Sequence, residues 1–529
     1  MNSFVYRNDF PVVETVYGKL RGFLHRDMYH FYGIHYAEAE RFQPPVPPKS
    51  WEGIADATSY GYICPVEAAP APQGEILIPH RFWPANEHCQ NLNVWTKTLD
   101  KNAGLPVMVW FHGGGYANGS AMEQVAYEGD ALARHENVVV VTVNHRLNIL
   151  GFLDMSSFGE KYRNSVNAGI ADLVAALEWV RDNIAGFGGD PGNVTVFGQS
   201  GGGGKVETLM QTPVAQGLFH KAILMSGIMD GFDGNGKLDT NIDHRKAILP
   251  MMQALGIPED QPEQLEKVPY DVLVRAFRKV HRDLIRQGGF ISWGPKPNDW
   301  YLGDPMKVGF TDFARTVPTM AGTVIAEFSG GAGTQAPGTE EENLAFLETI
   351  YGGNARRYAD LFRKAYPDKP VTLLPQLDVN VRRATHAFIA KKAEVSSAPA
   401  YLYVFALDFD VLGSRPAWHC SDLPFVFHNT LRVPNCDMDV REQLEKEMAG
   451  AWAGFARTGS PSHAALPRWD AYTEQHPVTM IFDRQSRQAA DYDTELINTL
   501  SRELPRQDML EMFAKMALTE SDEGGGWMY

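Results

Sequence analysis

Asn193-Val194-Thr195-Val196-Phe197-Gly198-Gln199-Ser200-Gly201-Gly202 is the stretch that decides the fold. A short β-branched, apolar run leads into Gly-x-Ser-x-Gly, and a helical stretch follows. A buried strand that turns sharply into a helix needs glycine where a side chain would clash, and it presents the central serine hydroxyl at the bend. The N-terminus of the following helix offers backbone donors and a partial positive field to a developing negative charge. The five-residue pattern alone is not specific, because Gly and Ser are common. A phosphate loop of the form G-x-x-x-x-G-K-[ST] fails twice around Lys205: Gln199 stands at its first glycine and Val206 at its hydroxyl residue.

Outward from this turn, strands alternate with helices. Val107-Met108-Val109-Trp110-Phe111 and Val138 to Val143 are continuous apolar runs, the pattern of strands buried on both faces. Ile170, Leu173, Val174, Leu177 and Val180 recur at helical spacing. Further strands are predicted at Ala222–Met225, Val317–Thr323, Ala400–Ala406 and Pro477–Phe482. This alternation predicts an α/β fold with a mostly parallel, doubly wound sheet. Helical periodicity without strong strands marks about 240–290, 338–366 and 374–394. A second glycine-rich turn, His112-Gly113-Gly114-Gly115-Tyr116, follows the strand that ends at Phe111. Such a turn lets backbone N–H groups approach a ligand and, with Gly201, supplies about three donors to an oxyanion.

Composition narrows the function classes. The chain has 529 residues, and 48 Lys and Arg against 64 Asp and Glu give a net charge of −16. Hydrophobic residues at 44% and charged residues at 21% exclude a mainly disordered chain. No apolar run approaches the ~18 residues of a membrane span. The acidity, with no basic run, argues against a nucleic-acid partner. No export signal is visible in Met1–Arg7, which points to the cytoplasm and to reduced thiols at the four cysteines.

Longer motifs carry a family resemblance. Phe31-Tyr32-Gly33-Ile34-His35-Tyr36-Ala37 is similar to F-x-G-I-P-Y-A, with His35 in place of Pro. Glu87-His88-Cys89-Gln90-Asn91-Leu92-Asn93-Val94-Trp95 resembles E-D-C-L-x-L-N-V-W, and Phe187 to Gly202 resembles the segment ending in G-E-S-A-G. These motifs, in this order, are those of the type-B carboxylesterase/cholinesterase family. The resemblance implies an α/β-hydrolase fold and hydrolysis of carboxylic esters without metal or organic cofactor.

A serine nucleophile needs a base, itself oriented by a third group. Sixteen histidines compete for the first role, and Asp299, Asp304 and Glu340 are as eligible as any carboxylate for the second. The resemblance selects His419, in Ala417-Trp418-His419-Cys420-Ser421-Asp422-Leu423-Pro424, and Glu327, where Phe328 replaces the usual glycine. It thus implies a triad of Ser200, Glu327 and His419, with Gly114, Gly115 and Gly201 as the oxyanion hole. It also implies ion pairs of Arg41 with Glu87 and Arg146 with Asp172, and a hydroxyl at Ser226 behind the triad. Cys64 and Cys89 occupy the family's disulfide positions, paired if the chain is exported and reduced if it is cytosolic; Cys420 is a packing residue that could pair with Cys436. Tyr116, Gln199, Phe290, Trp293 and Trp418 are the candidate lining of an apolar, aromatic pocket. Gln199 replaces the acidic residue that usually precedes the nucleophile, which weakens the case for a cationic substrate.

Residues 200, 327 and 419 must meet, so one catalytic domain is expected over 1–529, with helical insertions at 228–315 and 330–395 forming a cap and gorge. The expected partner is a small-molecule ester, and the chain is a monomer or homodimer. The competing readings are a catalytically silent interaction protein, or a lipase, thioesterase or amidase on the same fold.

Overall fold

The computed structural model describes residues 4–66, 77, 79–229, 237–328, 338–411, 414–436, 438–505 and 508–519. Among the described residues, twelve strands form one sheet. In chain order they are β1 (Phe4–Val5), β2 (Phe23–His25), β3 (Met28–His35), β4 (Asn91–Thr96), β5 (Leu105–Phe111) and β6 (Val139–Val143), then β7 (Gly189–Gln199), β8 (Lys221–Met225), β9 (Thr319–Val324), β10 (Ala400–Phe405), β11 (Val478–Phe482) and β12 (Arg487–Ala490). Their spatial order is β1-β2-β3-β4-β6-β5-β7-β8-β9-β10-β11-β12. From β6 to β11 every neighbouring pair is parallel. The β1–β4 edge and β12 add antiparallel strands.

The parallel strands are dominated by apolar residues because both faces are covered. Along β5, Met108 and Trp110 enter one core with Phe197 and Ile223, while Val107, Val109 and Phe111 enter the other with Val194, Val196 and Leu224. That period of two sends the side chains of β5 into both cores, so no polar residue interrupts β5, and β6 carries only Thr142, buried and accepting from Asn93 Nδ2 at 3.0 Å. Helix Ala168–Asn183 packs its Leu173, Leu177 and Val180 into the second core.

Helices Arg245–Ala254 and Tyr270–Arg286 build a separate core, in which Ile248, Met251, Leu273 and Phe277 meet Leu147, Leu150 and Met155. Glu340–Tyr351 and Ala355–Ala365 are helices too, the first opened by a capping box between Thr339 and Glu342. Helix Asn380–Val395, read from the sequence as the end of an insertion, instead lies on the sheet as the crossover between β9 and β10. Its Phe388 and Ile389 are fully buried against the core that holds Ala321 and Leu402. Residues 230–236 and 330–337 of the expected insertions lie outside the described residues. No helix among the described residues is long and apolar enough to cross a membrane.

Candidate active site

Strand β7 carries the nucleophile candidate to the C-terminal edge of the sheet. Gly198 pairs with Phe111 on one side and Leu224 on the other, and Gln199 with Met225. Helix Gly201–Met210 begins immediately after Ser200. Between them Ser200 adopts φ 57° and ψ −128°, a conformation that a non-glycine residue keeps only when its surroundings enforce it. Its N–H donates to the Met225 carbonyl at 2.8 Å. The glycines around it are required by close approach. A Cβ on Gly202 would lie 2.0 Å from the Phe111 oxygen, and one on Gly198 would lie 2.4 Å from the Gly202 carbonyl carbon.

The His112–Tyr116 turn lies over this elbow. A Cβ on Gly113 would stand 3.3 Å from the Ser200 Cβ, and one on Gly201 only 2.2 Å from the Gly115 oxygen. Gly114 and Gly115 both take positive φ, at 81° and 62°. Among the described residues their N–H groups have no acceptor. Lys205 ties this turn to the helix, donating from Nζ to the His112 carbonyl at 2.9 Å. Full burial pushes the Lys205 amine down to about 7.

Glu327 and His419 come from loops that follow β9 and β10. His419 Nδ1 is 2.6 Å from Glu327 Oε2, and the other carboxylate oxygen accepts from the Val324 N–H at 2.9 Å. The His419 N–H donates to the Glu327 carbonyl at 3.0 Å. Phe328, which stands where the sequence lacked the usual glycine, tilts its ring over the imidazole at 4.2 Å. His419 Nε2 faces Gln199 Nε2 at 3.1 Å, and among the described residues no hydrogen bond joins it to Ser200. Resting sites often hold such a pair apart and close it when substrate binds.

Two further carboxyls feel the Glu327 charge. Burial first, and then Glu327, raise Asp422 to about 7 and Asp378 to about 8. Asp422 accepts from the Tyr403 hydroxyl at 3.3 Å. The sequence reading did not single out Lys205 as a partner of the glycine turn, nor Asp378 or Asp422. The signal for Asp422 was its place three residues after His419, inside the segment quoted for that histidine.

The remaining candidates divide. Ser226 is fully buried behind the elbow, with φ 47° and its N–H on the Gly322 carbonyl at 2.8 Å. Arg41 forms a bidentate pair with Glu87, and Arg146 one with Asp172 at 2.7 and 2.9 Å. Tyr116 packs edge-on to Phe152, with its hydroxyl 3.3 Å from Thr208 Oγ1, and the backbone of Gly294, next to Trp293, closes on its ring. Trp293 itself leans on Phe277. Phe290 is not part of this lining: it is buried in a satellite core with Ile285, Leu510 and Ala514, because helix Met509–Thr519 covers it. Trp418 packs on Phe409 at 4.6 Å and borders a cavity of about 20 Å³ with Cys420 and Cys436. All four cysteines are buried free thiols.

The pattern of the carboxylesterase family matches residues 9–499. The para-nitrobenzyl esterase of Bacillus subtilis (strain 168) is 34% identical over 92% of this chain and 97% of its own length. The phenmedipham hydrolase of Pseudarthrobacter oxydans is 30% identical over 91% of this chain and 96% of its own. A solved structure, an esterase from Clostridium hathewayi described as hydrolysing aliphatic aromatic polyesters, is 46% identical with a TM-score of 0.90, covering 95% of this chain and all of that one. The chain therefore belongs to the carboxylesterase family, with the α/β-hydrolase fold, and is a carboxylic ester hydrolase.

Proposed function

We propose that the reaction is a two-step acyl transfer through Ser200. His419 takes the Ser200 proton on Nε2 as Oγ attacks the ester carbonyl. The resulting oxyanion is held by the N–H groups of Gly114, Gly115 and Gly201. Glu327 keeps the imidazole oriented and stabilises its charged form. Collapse breaks the bond to the alcohol, which leaves with the proton from His419. Water then repeats the sequence on the acyl-enzyme, releasing the acid and restoring Ser200. The observation that carries this reading is the 2.6 Å contact of His419 with Glu327, beside a serine held at positive φ under a glycine turn with unpaired donors.

The substrates are small carboxylic esters with apolar or aromatic parts. Tyr116 and Trp293 support this, as do relatives named for a nitrobenzyl ester and for aliphatic aromatic polyesters. Four buried cysteines outside any disulfide support a reducing compartment, the cytoplasm. A panel of p-nitrophenyl esters with acyl chains of increasing length, beside an aromatic diester, tests the substrate class. Turnover of short-chain and aromatic esters is expected. Activity confined to long-chain esters would point to a lipase instead.

A further inference from the structure

Gln199 is fully buried, and both ends of its amide are engaged. Its Oε1 accepts from the Cys420 thiol at 3.1 Å, and its Nε2 lies 3.1 Å from His419 Nε2. The assignment of oxygen and nitrogen follows from the partners. Burial, with Asp422, Glu327 and Glu123 nearby, pushes the Cys420 thiol well up, so it remains a donor and needs an acceptor. Cys420 itself is fixed in the left-handed region, at φ 76°, which holds its side chain on this line. The amide oxygen is thus turned to sulfur, and the amide nitrogen donates to the imidazole.

Hydrogen bonding then runs one way, from Cys420 S–H to Gln199 Oε1, from Gln199 N–H to His419 Nε2, and from His419 Nδ1–H to Glu327 Oε2. The opposite tautomer would set an unprotonated Nδ1 against a carboxylate oxygen at 2.6 Å and an Nε2–H against the amide N–H. Both contacts would be repulsive.

Resting on the triad reading above, we propose that Gln199 is a positioning residue: locked by Cys420, its neutral amide holds His419 with the proton on Nδ1 and the lone pair on Nε2. A proton on Nε2 would meet the amide N–H head on. The other titratable groups around the ring are Glu327 at Nδ1, with Asp378 and Asp422 close enough to feel its charge, and Cys420. Phe328 covers the ring itself. A carboxylate at position 199 would instead stabilise the imidazolium, and opposite charges at such range move a titration by about 1–3 units.

The test is the pH profile of kcat/KM on p-nitrophenyl acetate for the intact protein and for Q199E, C420A and C420S. Q199E should move the acid limb upward by about one pH unit or more, so that activity on that limb falls at least roughly tenfold. C420A frees the amide to turn over and should move the limb the same way by less. C420S keeps a donor at that place and should restore the original limb. A merely structural role would lower activity at every pH and leave the limb where it is. An unmoved acid limb in Q199E, or in C420A where Q199E does not fold, overturns the proposal. Titration of each variant with an organophosphate at alkaline pH separates the two readings: failure of the intact protein to be titrated at Ser200 would count against the triad itself.

Discussion

Glu327 and His419 are joined twice, through Nδ1 and Oε2 at 2.6 Å and through the His419 N–H and the Glu327 carbonyl at 3.0 Å. The side-chain contact orients the imidazole, and the backbone contact fixes the loop after β10 to the loop after β9. Glu327→Gln keeps the shape but removes the charge and invites the wrong tautomer. A loss of about 10³–10⁴-fold in kcat is expected, with KM little changed, in steady-state turnover of p-nitrophenyl acetate. A loss below tenfold would show that Glu327 does not orient the base.

Gly201→Ala tests the oxyanion hole. The added Cβ would fall 2.2 Å from the Gly115 oxygen and 2.5 Å from its Cα, and these are backbone atoms that cannot swing aside. The glycine turn must therefore move off the elbow. A fall in kcat of about 10²–10³ is expected, the cost of a displaced donor, together with a lower thermal midpoint, because backbone has to move. Unaltered kcat would place the oxyanion donors elsewhere.

Arg146 and Asp172 are a buried pair, with side chains only 2% and 0% exposed. Arg146 also donates to the carbonyls of Glu40, Gln43 and Ala168, so it ties three segments together. Asp172→Asn leaves the guanidinium buried without its counter-charge, and a loss of about 3–5 kcal/mol is expected in urea unfolding. A change within 1 kcal/mol would mean that the pair is relaxed into water.

Asp422 makes stability depend on pH. Its carboxyl is raised from 3.8 to about 7 in the folded chain, by burial and then by Glu327. A raised acid contributes its full stability below the unfolded value and loses it as pH rises through the folded one. The protein should therefore lose stability from this group between about pH 4 and 7. Asp422→Asn should flatten that slope and melt higher relative to the parent at pH 8 than at pH 5. Parallel melting curves across this range would contradict the assignment.

The elbow and its sheet were legible because a strand buried on both faces is mostly apolar: β5, β6 and the end of β7 announce themselves. The β1–β4 edge did not, since Met28–His35 mixes His and Tyr with apolar residues and its pairing with β4 shifts register between Phe31 and Ile34. Helix Arg441–Thr458 was legible and went unread, with Leu444, Met448, Ala451, Trp452 and Phe455 buried at helical spacing. Phe290 was placed in the pocket on residue type alone, whereas a helix more than two hundred residues further along the chain covers it. Gln199 was read for the charge it lacks, but its grip on His419 joins residues 220 positions apart and depends on a side-chain orientation that Cys420 sets. Spacing along a chain carries no such information.

The central claim is that Ser200 carries the acyl group, and covalent labelling tests it most directly. The intact protein, treated with diethyl p-nitrophenyl phosphate and digested, is mapped by mass spectrometry alongside Ser200→Ala. One phosphoryl adduct per chain on Ser200, formed in step with the loss of ester turnover and absent from the inactive variant, is the predicted result. An adduct on another residue, or ester turnover that survives in Ser200→Ala, would contradict it.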